Sequence, residues 1–598
     1  MRSWNVNYRH VVGLLALAMI SALPAAPAVA AEEKLPDNEV LMRALVDELG
    51  RAMTLQVEDL EKPYFIQFDV DDSINYSISA AYGAVTSSDR SRTRRLRCQV
   101  RVGSYELDNT NFSEGGGFGR GSGRGGAGAA LPLEDDSLAI RQAIWEATDG
   151  DYKNAVETLT RKRAYMKDKN IEDRPNDYMQ AKPVEHIGPT AVLNFDQGQW
   201  EKNLKQLSGQ FKKLEQVQDS NVRLLIGCGN GYVVNSEGSR VRVPDSRVLL
   251  TITAEAQAPD GMRLSNSRSY AGDSVADLPP MEQMLKDIDG MVAELTAALA
   301  APVLDRYTGP VLFDDTSAAQ LFQALLAEGV AARPEPLGEQ RRGPWEREGL
   351  DKKLGTQILP KSFQVWDDPK ADKLDGKVLL GHYEYDDEGM PAERVEIVKD
   401  GKIEKMCLAR TPIKKLSGTN GHGRRAPGGG SLRANIGCLF IKDTAGLKED
   451  KLKAALIEAA KDAGLEYGIR IKSLASASAL DGGADVRRLM RMMSGRGGGG
   501  EGVSINDPVV AYKVFVSDGH EEPFRGCEFG PIRMQELKRI AGAGDQSFVY
   551  NFLGVGLGGV SPPASIIAPA VLFSELELAK GSEEHDKPPI LKAPAFRK

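Results

Sequence analysis

The strictest constraint in this sequence is a change of hydrophobic period soon after its N-terminal region. Apolar residues recur at helical spacing over 39–55, which predicts an amphipathic helix. From residue 64 the period becomes two, in runs at 64–70, 74–82 and 95–102. Such alternation predicts three antiparallel strands with one solvated face. The arginines between 90 and 101 are assigned to that face, rather than to a nucleic-acid site.

Helical and strand patterns continue to alternate along the chain. A long apolar stripe over 281–299 ends before Pro302 and marks a domain boundary. The predicted class is therefore α/β (α+β), with mixed and antiparallel sheets. The domains are an N-terminal domain at 31–301, containing a flexible Gly-rich loop at 113–128, and a C-terminal domain at 302–598. Further helices are predicted at 137–169 and 449–463 and from 314–317 onward, and further strands at 221–234, 247–257, 310–313, 377–383, 394–399, 435–441, 509–516 and 565–577.

Residues 1–30 have the pattern of a secretory signal peptide. Arg2 and Arg9 precede an apolar run at 11–23, and Ala28-Val29-Ala30 offers a small-residue cleavage site. No later run is long and apolar enough to span a bilayer. The sequence therefore predicts a periplasmic or secreted protein with no membrane span once the signal is removed.

The net charge and the small numbers of Cys and His limit the possible functions of the protein. A net charge of −8 argues against a nucleic-acid partner, which needs a concentrated basic surface. The chain holds only 5 Cys and 6 His, a small supply of soft metal ligands. The cysteines are widely spaced and favour buried apolar positions, and their disulfide state stays open.

Most catalytic signatures are missing. The sequence has no HExxH, CxxC, GxSxG or P-loop motif. The glycine-rich segment 227–231 is interpreted as a tight turn, and Asp386–Gly389 as an acidic turn between strands. A capping box is predicted at Ser317 and Gln320.

The segment 419–425 (TNGHGRR) carries the candidate substrate-binding residues. Glycines allow a ligand to approach the backbone closely, and two arginines can clamp a carboxylate or the carbonyls of a peptide. We expect His422 to be exposed and able to ligate a metal, and a mobile surface loop is the competing interpretation. The substrate-binding prediction consists of Asn420, His422, Arg424 and Arg425.

Several stretches, taken in order, form a recognisable pattern. They are Asn235-Ser236-Glu237-Gly238, Gly309-Pro310 before Val311-Leu312-Phe313, Leu354-Gly355, Val365-Trp366-Asp367-Asp368-Pro369, Asp386 to Gly389, Thr419 to Arg425, Glu466-Tyr467-Gly468 and Phe524-Arg525-Gly526. Together they resemble the TldD/PmbA family of metallopeptidases, historically called modulators of DNA gyrase. The resemblance spans roughly 40–580 and implies a dimeric, two-domain protein with a peptidase site in the C-terminal domain.

The resemblance also locates the family's zinc. In TldD-type members an HExxxH motif lies on the helix after the GPV-like strand, and a Cys near the C-terminus completes the site. The matching positions here are Gln323, Ala324 and Glu328, and 554–568 contains no Cys. No metal is therefore expected, and catalytic residues stay unassigned. PmbA-type members, which also lack the motif and act as partner subunits, are the better match.

Three functions remain open at this stage. The first is an exported, zinc-free member that binds peptide or unfolded protein, as a homodimer or as a heterodimer with a zinc-bearing paralogue. The second is an active peptidase with a rearranged metal site built from Glu328, His422 and Cys527 or His520. The third is a non-catalytic envelope scaffold.

Overall fold

The computed structural model describes residues 33–34, 39–113, 128–338, 349–425, 432–476, 478, 503, 505–553, 555–556, 559–560 and 562–581. The predicted signal peptide and the interior of the predicted Gly-rich loop lie outside the described residues. No helix within these ranges has the length and apolar character needed to cross a membrane.

Six α-helices are described, and the second and third each begin at an aspartate N-cap. In the second, the Asp136 carboxylate accepts a hydrogen bond from the Ala139 amide, which satisfies a free donor at the helix N-terminus. The helices are α1 (Glu39–Ala52), α2 (Ser137–Asp168), α3 (Gln197–Gly209), α4 (Met281–Ala300), α5 (Thr316–Phe322) and α6 (Glu449–Asp462).

The first large sheet is an antiparallel meander of long strands. Its strands lie in the order β5-β4-β3-β1-β2, with Ala129–Ala130 added beside β2 and Glu185–Ile187 pairing in parallel with β4. Helices α3 and α4 pack on this sheet over one apolar core, and α1 and α2 over a second. The strands are β1 (Pro63–Ala81), β2 (Ala84–Val102), β3 (Asp219–Asn235), β4 (Arg240–Gln257) and β5 (Arg263–Gly272).

Two sequence predictions about β1 and β2 are wrong. The three strands predicted from 64 to 102 are two strands of 19 residues each, joined by a turn at Tyr82-Gly83. The arginine face is also not uniformly solvated. Arg94 is fully buried and donates to Asp72 and Asp135, each at 2.8 Å. Acidic partners on neighbouring elements make that burial possible.

The segment 227–231, predicted as a tight turn, lies inside β3 instead. A Cβ on Gly229 would come within 2.4 Å of the Asp72 carbonyl oxygen on β1. Glycine therefore serves here to bring two strand backbones close together, not to reverse the chain.

The second large sheet is mixed and has eleven strands. Its central strand β14 pairs in parallel with β9 and antiparallel with β6, and β6 pairs in parallel with β10. Residues 564–573 of β14 are all buried, as expected for a strand covered on both faces. The labelled strands of this sheet are β6 (Arg306–Phe313), β7 (Phe363–Asp367), β8 (Val395–Lys399), β9 (Cys438–Asp443), β10 (Tyr467–Leu474), β11 (Pro508–Phe515), β12 (Glu521–Pro523), β13 (Ile540–Phe552) and β14 (Ala564–Lys580). Two further strands of the same sheet lie at Lys402–Ile403 and Cys527–Phe529. Short strands outside the two large sheets lie at Glu33–Lys34, Phe112–Ser113, Val192–Leu193, Leu337–Gly338, Lys373–Leu374, Lys377–Val378, Gly423–Arg424, Arg433–Ala434, Val555–Gly556 and Gly559–Val560.

Helix α5 follows β6 directly and continues as a π-helical turn at Gln323–Ala327. The predicted capping box is wrong. The Ser317 hydroxyl donates to the Asp314 and Ile471 carbonyls, and the Gln320 side chain bonds the backbone of Leu474. Both side chains tie the helix to β10 instead of closing its own N-terminus. The fold class predicted from the sequence, a mixed α+β fold with several sheets, is confirmed.

Candidate functional site

The motif helix, defined here as residues 316–328, has an apolar side and a partly exposed side. Leu321, Phe322, Leu325 and Leu326 are buried in the core of the second sheet, as the sequence pattern predicts. Gln323, Ala324 and Glu328 are only half-buried. The Glu328 carboxylate has no hydrogen bond or ion pair within the described part of the chain.

The family's zinc does not fit these residues. Gln323 offers an amide, which is a poor zinc ligand, and Ala324 offers no polar atom that could act as a base. Among the described residues, the one group of His, Cys, Asp and Glu side chains able to share an ion is Asp367, Cys407 and His422, and it excludes Glu328. No step of a zinc-dependent hydrolysis can therefore be assigned to the motif helix.

The rearranged site considered from the sequence is not assembled either. Cys527 is buried in a short strand beside β14, and burial raises the pKa of its thiol to about 12. His520 is exposed, stacks on Phe515 and pairs with Asp518 and Glu522. In the described residues neither side chain joins Glu328 or His422 in a set of ligands.

The segment 419–425 is not the exposed loop expected from its glycines. His422 is fully buried, and Arg424 is only 5% exposed. Asn420 uses its side chain internally, accepting from the Leu408 amide and donating to the Met406 carbonyl. His422 is therefore not exposed, and the segment is not a surface loop. Packing against the acidic turn explains why.

The acidic turn 386–389 lies directly beneath this segment. The Asp386 carboxylate accepts from the amides of Glu388, Met390 and Gly423, and Glu388 accepts from the Arg410 amide at 2.7 Å. A Cβ on Gly423 would lie 2.4 Å from the Glu388 carboxylate, so only glycine permits this approach. Burial raises the pKa of both carboxyls above their usual range.

The two predicted clamp arginines are already engaged inside the protein. Arg424 stacks on the Tyr383 ring, with its guanidinium carbon 4.1 Å from the ring centre. Arg425 forms an ion pair with Asp69 of β1 at 3.1 Å, and its amide donates to Asp387. A peptide carboxylate would have to displace these partners. The residues predicted to bind substrate therefore lie in a buried network.

Arg410 joins the two large sheets within the same network. Its guanidinium donates to Glu237 of the hairpin after β3 at 2.7 Å and to the Met179 carbonyl. It also stacks over the rings of Phe65 and Tyr178. We call the group formed by Gln67, Asp69, Glu237, Asp386–Glu388, Arg410 and 420–425 the polar layer. It is a buried connection between the sheets that no local sequence pattern indicated.

The triad of Asp367, Cys407 and His422 shares His422 with the polar layer. Asp367 ends β7, Cys407 follows Lys402–Ile403, and His422 precedes Gly423–Arg424. All three side chains are fully buried, and their ligand atoms lie within 4.8 Å of one another. Sequence reasoning interpreted Cys407 as apolar filler and quoted Asp367 only within the VWDDP stretch. A cysteine fifteen residues before a histidine was the available signal, and only tertiary contact gives it meaning.

A shallow open groove also lies on the first sheet. It has a volume of about 240 Å³. Its wall combines hydroxyl, amide, carboxylate and apolar groups from β1, β2 and β3, namely Asn75, Tyr76, Ser77, Asp89, Ser91, Leu225, Ile226 and Gly227.

Comparison with known proteins agrees with this fold. Residues 306–481 match the family described as the PmbA/TldA metallopeptidase C-terminal domain. The fold is similar to TldE from Thermococcus kodakarensis, at 13% identity and a TM-score of 0.57, covering 90% of this chain and 100% of that one.

Two further solved structures are similar, both described as candidate modulators of DNA gyrase. The protein from Thermotoga maritima is 16% identical, with a TM-score of 0.51, covering 86% of this chain and 96% of its own. The protein from Bacteroides thetaiotaomicron is 11% identical, with a TM-score of 0.54, covering 91% and 99%. At these identities the likeness concerns the fold alone. No curated protein matches the chain significantly.

Proposed function

We propose that this chain, whose residues 306–481 match the PmbA/TldA metallopeptidase C-terminal domain and whose fold is similar to TldE, is an exported, non-hydrolytic subunit of a dimeric peptidase. It lacks the family's catalytic zinc and works beside a zinc-bearing partner chain, or as a homodimer that holds unfolded peptide. The signal-like segment 1–30 supports export to the periplasm or beyond.

The motif helix carries this proposal. A zinc peptidase needs ligands that hold the metal and a base that activates water. The positions that match the family motif offer Gln323 and Ala324, which supply neither, and a half-buried Glu328. A chain with this helix can still use the family fold to bind a second subunit.

Hydrolysis by the purified protein tests the proposal directly. Reduced, carboxymethylated α-lactalbumin serves as an unfolded substrate, with and without a chelator. We expect no chelator-sensitive cleavage, and the same background from Glu328→Ala and from Glu335→Ala, a control on an exposed carboxylate seven residues away. Cleavage that the chelator and Glu328→Ala abolish, but Glu335→Ala preserves, would establish the rearranged peptidase instead.

Peptide binding has a more suitable surface than the buried arginines. The groove on the first sheet is open, and its hydroxyl, amide and carboxylate side chains offer hydrogen-bonding groups to an extended chain, whereas the backbone groups of its strands are already paired within the sheet. Fluorescence anisotropy with the same unfolded substrate measures the affinity. Ser91→Trp should fill the groove and weaken binding at least tenfold. Thr86→Trp, an exposed position on the same strand that does not line the groove, should not.

Equal binding by both variants would remove the groove from the proposal. Absence of any binding by the unmodified protein would favour the envelope scaffold. Light scattering after size-exclusion chromatography separates a homodimer from a chain that needs a different partner.

A further inference from the structure

The buried triad of Asp367, Cys407 and His422 poses a hydrogen-bonding problem. His422 Nδ1 lies 2.9 Å from the Asn420 carbonyl oxygen, which can only accept a hydrogen bond, so Nδ1 carries a proton. Nε2 lies 3.0 Å from Asp367 Oδ1. In the neutral imidazole, the Nε2 lone pair would then point at a carboxylate. A cation must therefore lie between them, and it is either a second proton or a metal ion.

The orientation of each group suits a metal ion. Histidines that bind metals usually donate the other ring N–H to a backbone carbonyl or a carboxylate, and His422 does so toward Asn420. The Asp367 carboxylate is fixed by the Gly437 amide, which lies 3.1 Å from each oxygen. The Asn420 side chain ties 406–408 to 420–422, so it fixes Cys407 relative to His422.

The chemistry of the donors selects the class of ion. A thiolate, an imidazole and a carboxylate form a mixed S/N/O set typical of zinc, and unlike the all-oxygen sets of calcium or magnesium. Two negative ligands balance a divalent cation. The site would then bury no net charge, which matters because all three side chains are inaccessible to water.

We propose that Asp367, Cys407 and His422 bind one structural Zn²⁺ that joins the end of β7 to the segments 406–408 and 420–422. The three side chains fill three of the four positions that zinc normally uses, and water or a backbone oxygen completes the set. The site is separate from the motif helix, and it does not depend on the proposed function. Its role is structural because a fully enclosed ion cannot reach a substrate.

Metal analysis of the purified full chain, produced with zinc in the medium, tests the proposal. We expect one zinc per chain in the unmodified protein and in Cys527→Ser, a control on a cysteine that is equally buried but outside the triad. Cys407→Ser and His422→Gln should lose the metal. Zinc that stays at full occupancy in Cys407→Ser would overturn the assignment, as would an unmodified protein that holds none even after refolding with zinc.

A measurement on the unmodified protein covers the case in which those variants do not fold. X-ray absorption at the zinc edge should show one sulfur neighbour at about 2.3 Å, with nitrogen and oxygen neighbours completing the shell. A shell without sulfur, or with several sulfurs, would contradict the triad. Peptide cleavage plays no part in these measurements, so failure of the metal site and failure of the proposed function remain distinguishable.

Discussion

The motif helix and the polar layer both differ in burial from what their residues suggest. The helix occupies the place where the family resemblance puts catalytic ligands, yet it turns an apolar side to the core and leaves Gln323 and Glu328 half-exposed. The polar layer contains glycines and arginines typical of a surface loop, yet it is buried between two sheets. The family resemblance therefore predicted the fold correctly, but it did not predict which side chains are buried. The comparison predicts that substitutions in the polar layer cost much more stability than substitutions on the motif helix.

The largest effect is expected at Arg410. Arg410→Ala should lower the free energy of unfolding by about 3–5 kcal/mol, because it removes the positive charge that pairs with the buried Glu237 carboxylate. Arg306→Ala, which breaks the exposed pair with Glu577, should cost about 0–1 kcal/mol. Urea unfolding measures both. Similar losses from the two variants would show that the polar layer is solvated.

The next effect tests whether 419–425 is a loop or a packed element. Gly421 has φ of +70°, and a Cβ there would lie 2.2 Å from the Pro391 carbonyl oxygen. Gly421→Ala should therefore cost about 2–4 kcal/mol, from backbone strain and overpacking together. Gly418 also has a positive φ, of +110°, but open space around it, so Gly418→Ala should cost about 1 kcal/mol. A mobile loop would give equal, small losses in thermal or urea unfolding.

A third prediction concerns pH. Burial raises the pKa of Asp69 from its usual 3.8 to about 6, in spite of the nearby Arg425. The folded state then binds this proton more tightly than the unfolded chain does. The resulting stability is fully present below about pH 4 and is lost as the pH rises through 6, by at most about 3 kcal/mol.

Asp69→Asn isolates that contribution, since the amide does not titrate. Between about pH 4.5 and pH 7, the free energy of unfolding should fall less in the variant than in the unmodified protein, because the variant lacks the contribution of the Asp69 carboxyl. If the unmodified protein and the variant show the same difference, the Asp69 carboxylate is solvated and the polar layer is more open than the structure indicates.

The smallest effect is expected on the motif helix. Gln323→Ala and Glu328→Ala should each change stability by no more than about 0.5 kcal/mol, because both side chains are half-exposed. Leu325→Ala on the buried side of the same helix should cost about 2–5 kcal/mol. A large loss from Glu328→Ala alone would reveal a structural or ligand-binding role for that carboxylate.

The hydrophobic pattern predicted helices and strands well where a single period was clear. The stripe at 281–299 gave α4 almost to the residue, and the alternation from 64 to 102 gave the correct faces for Leu96, Val100 and Val102. It divided β1 into two strands because polar residues near 71–73 resemble a turn. It interpreted 227–231 as a turn because glycine has the same local signature when it permits close strand contact.

The sequence by itself determined the period of each element, the family resemblance, and the absence of HExxxH, since these depend only on the order of residue types. The domain boundary near 301 and the signal segment stay predictions on the same basis. Tertiary structure alone decided the burial of His422, its contact with Asp367 and Cys407, and the pairing of Arg425 with Asp69. These contacts join residues 15 to more than 350 positions apart. Hydrophobic period reports which face of an element is buried, but it carries no information about which distant polar groups meet there.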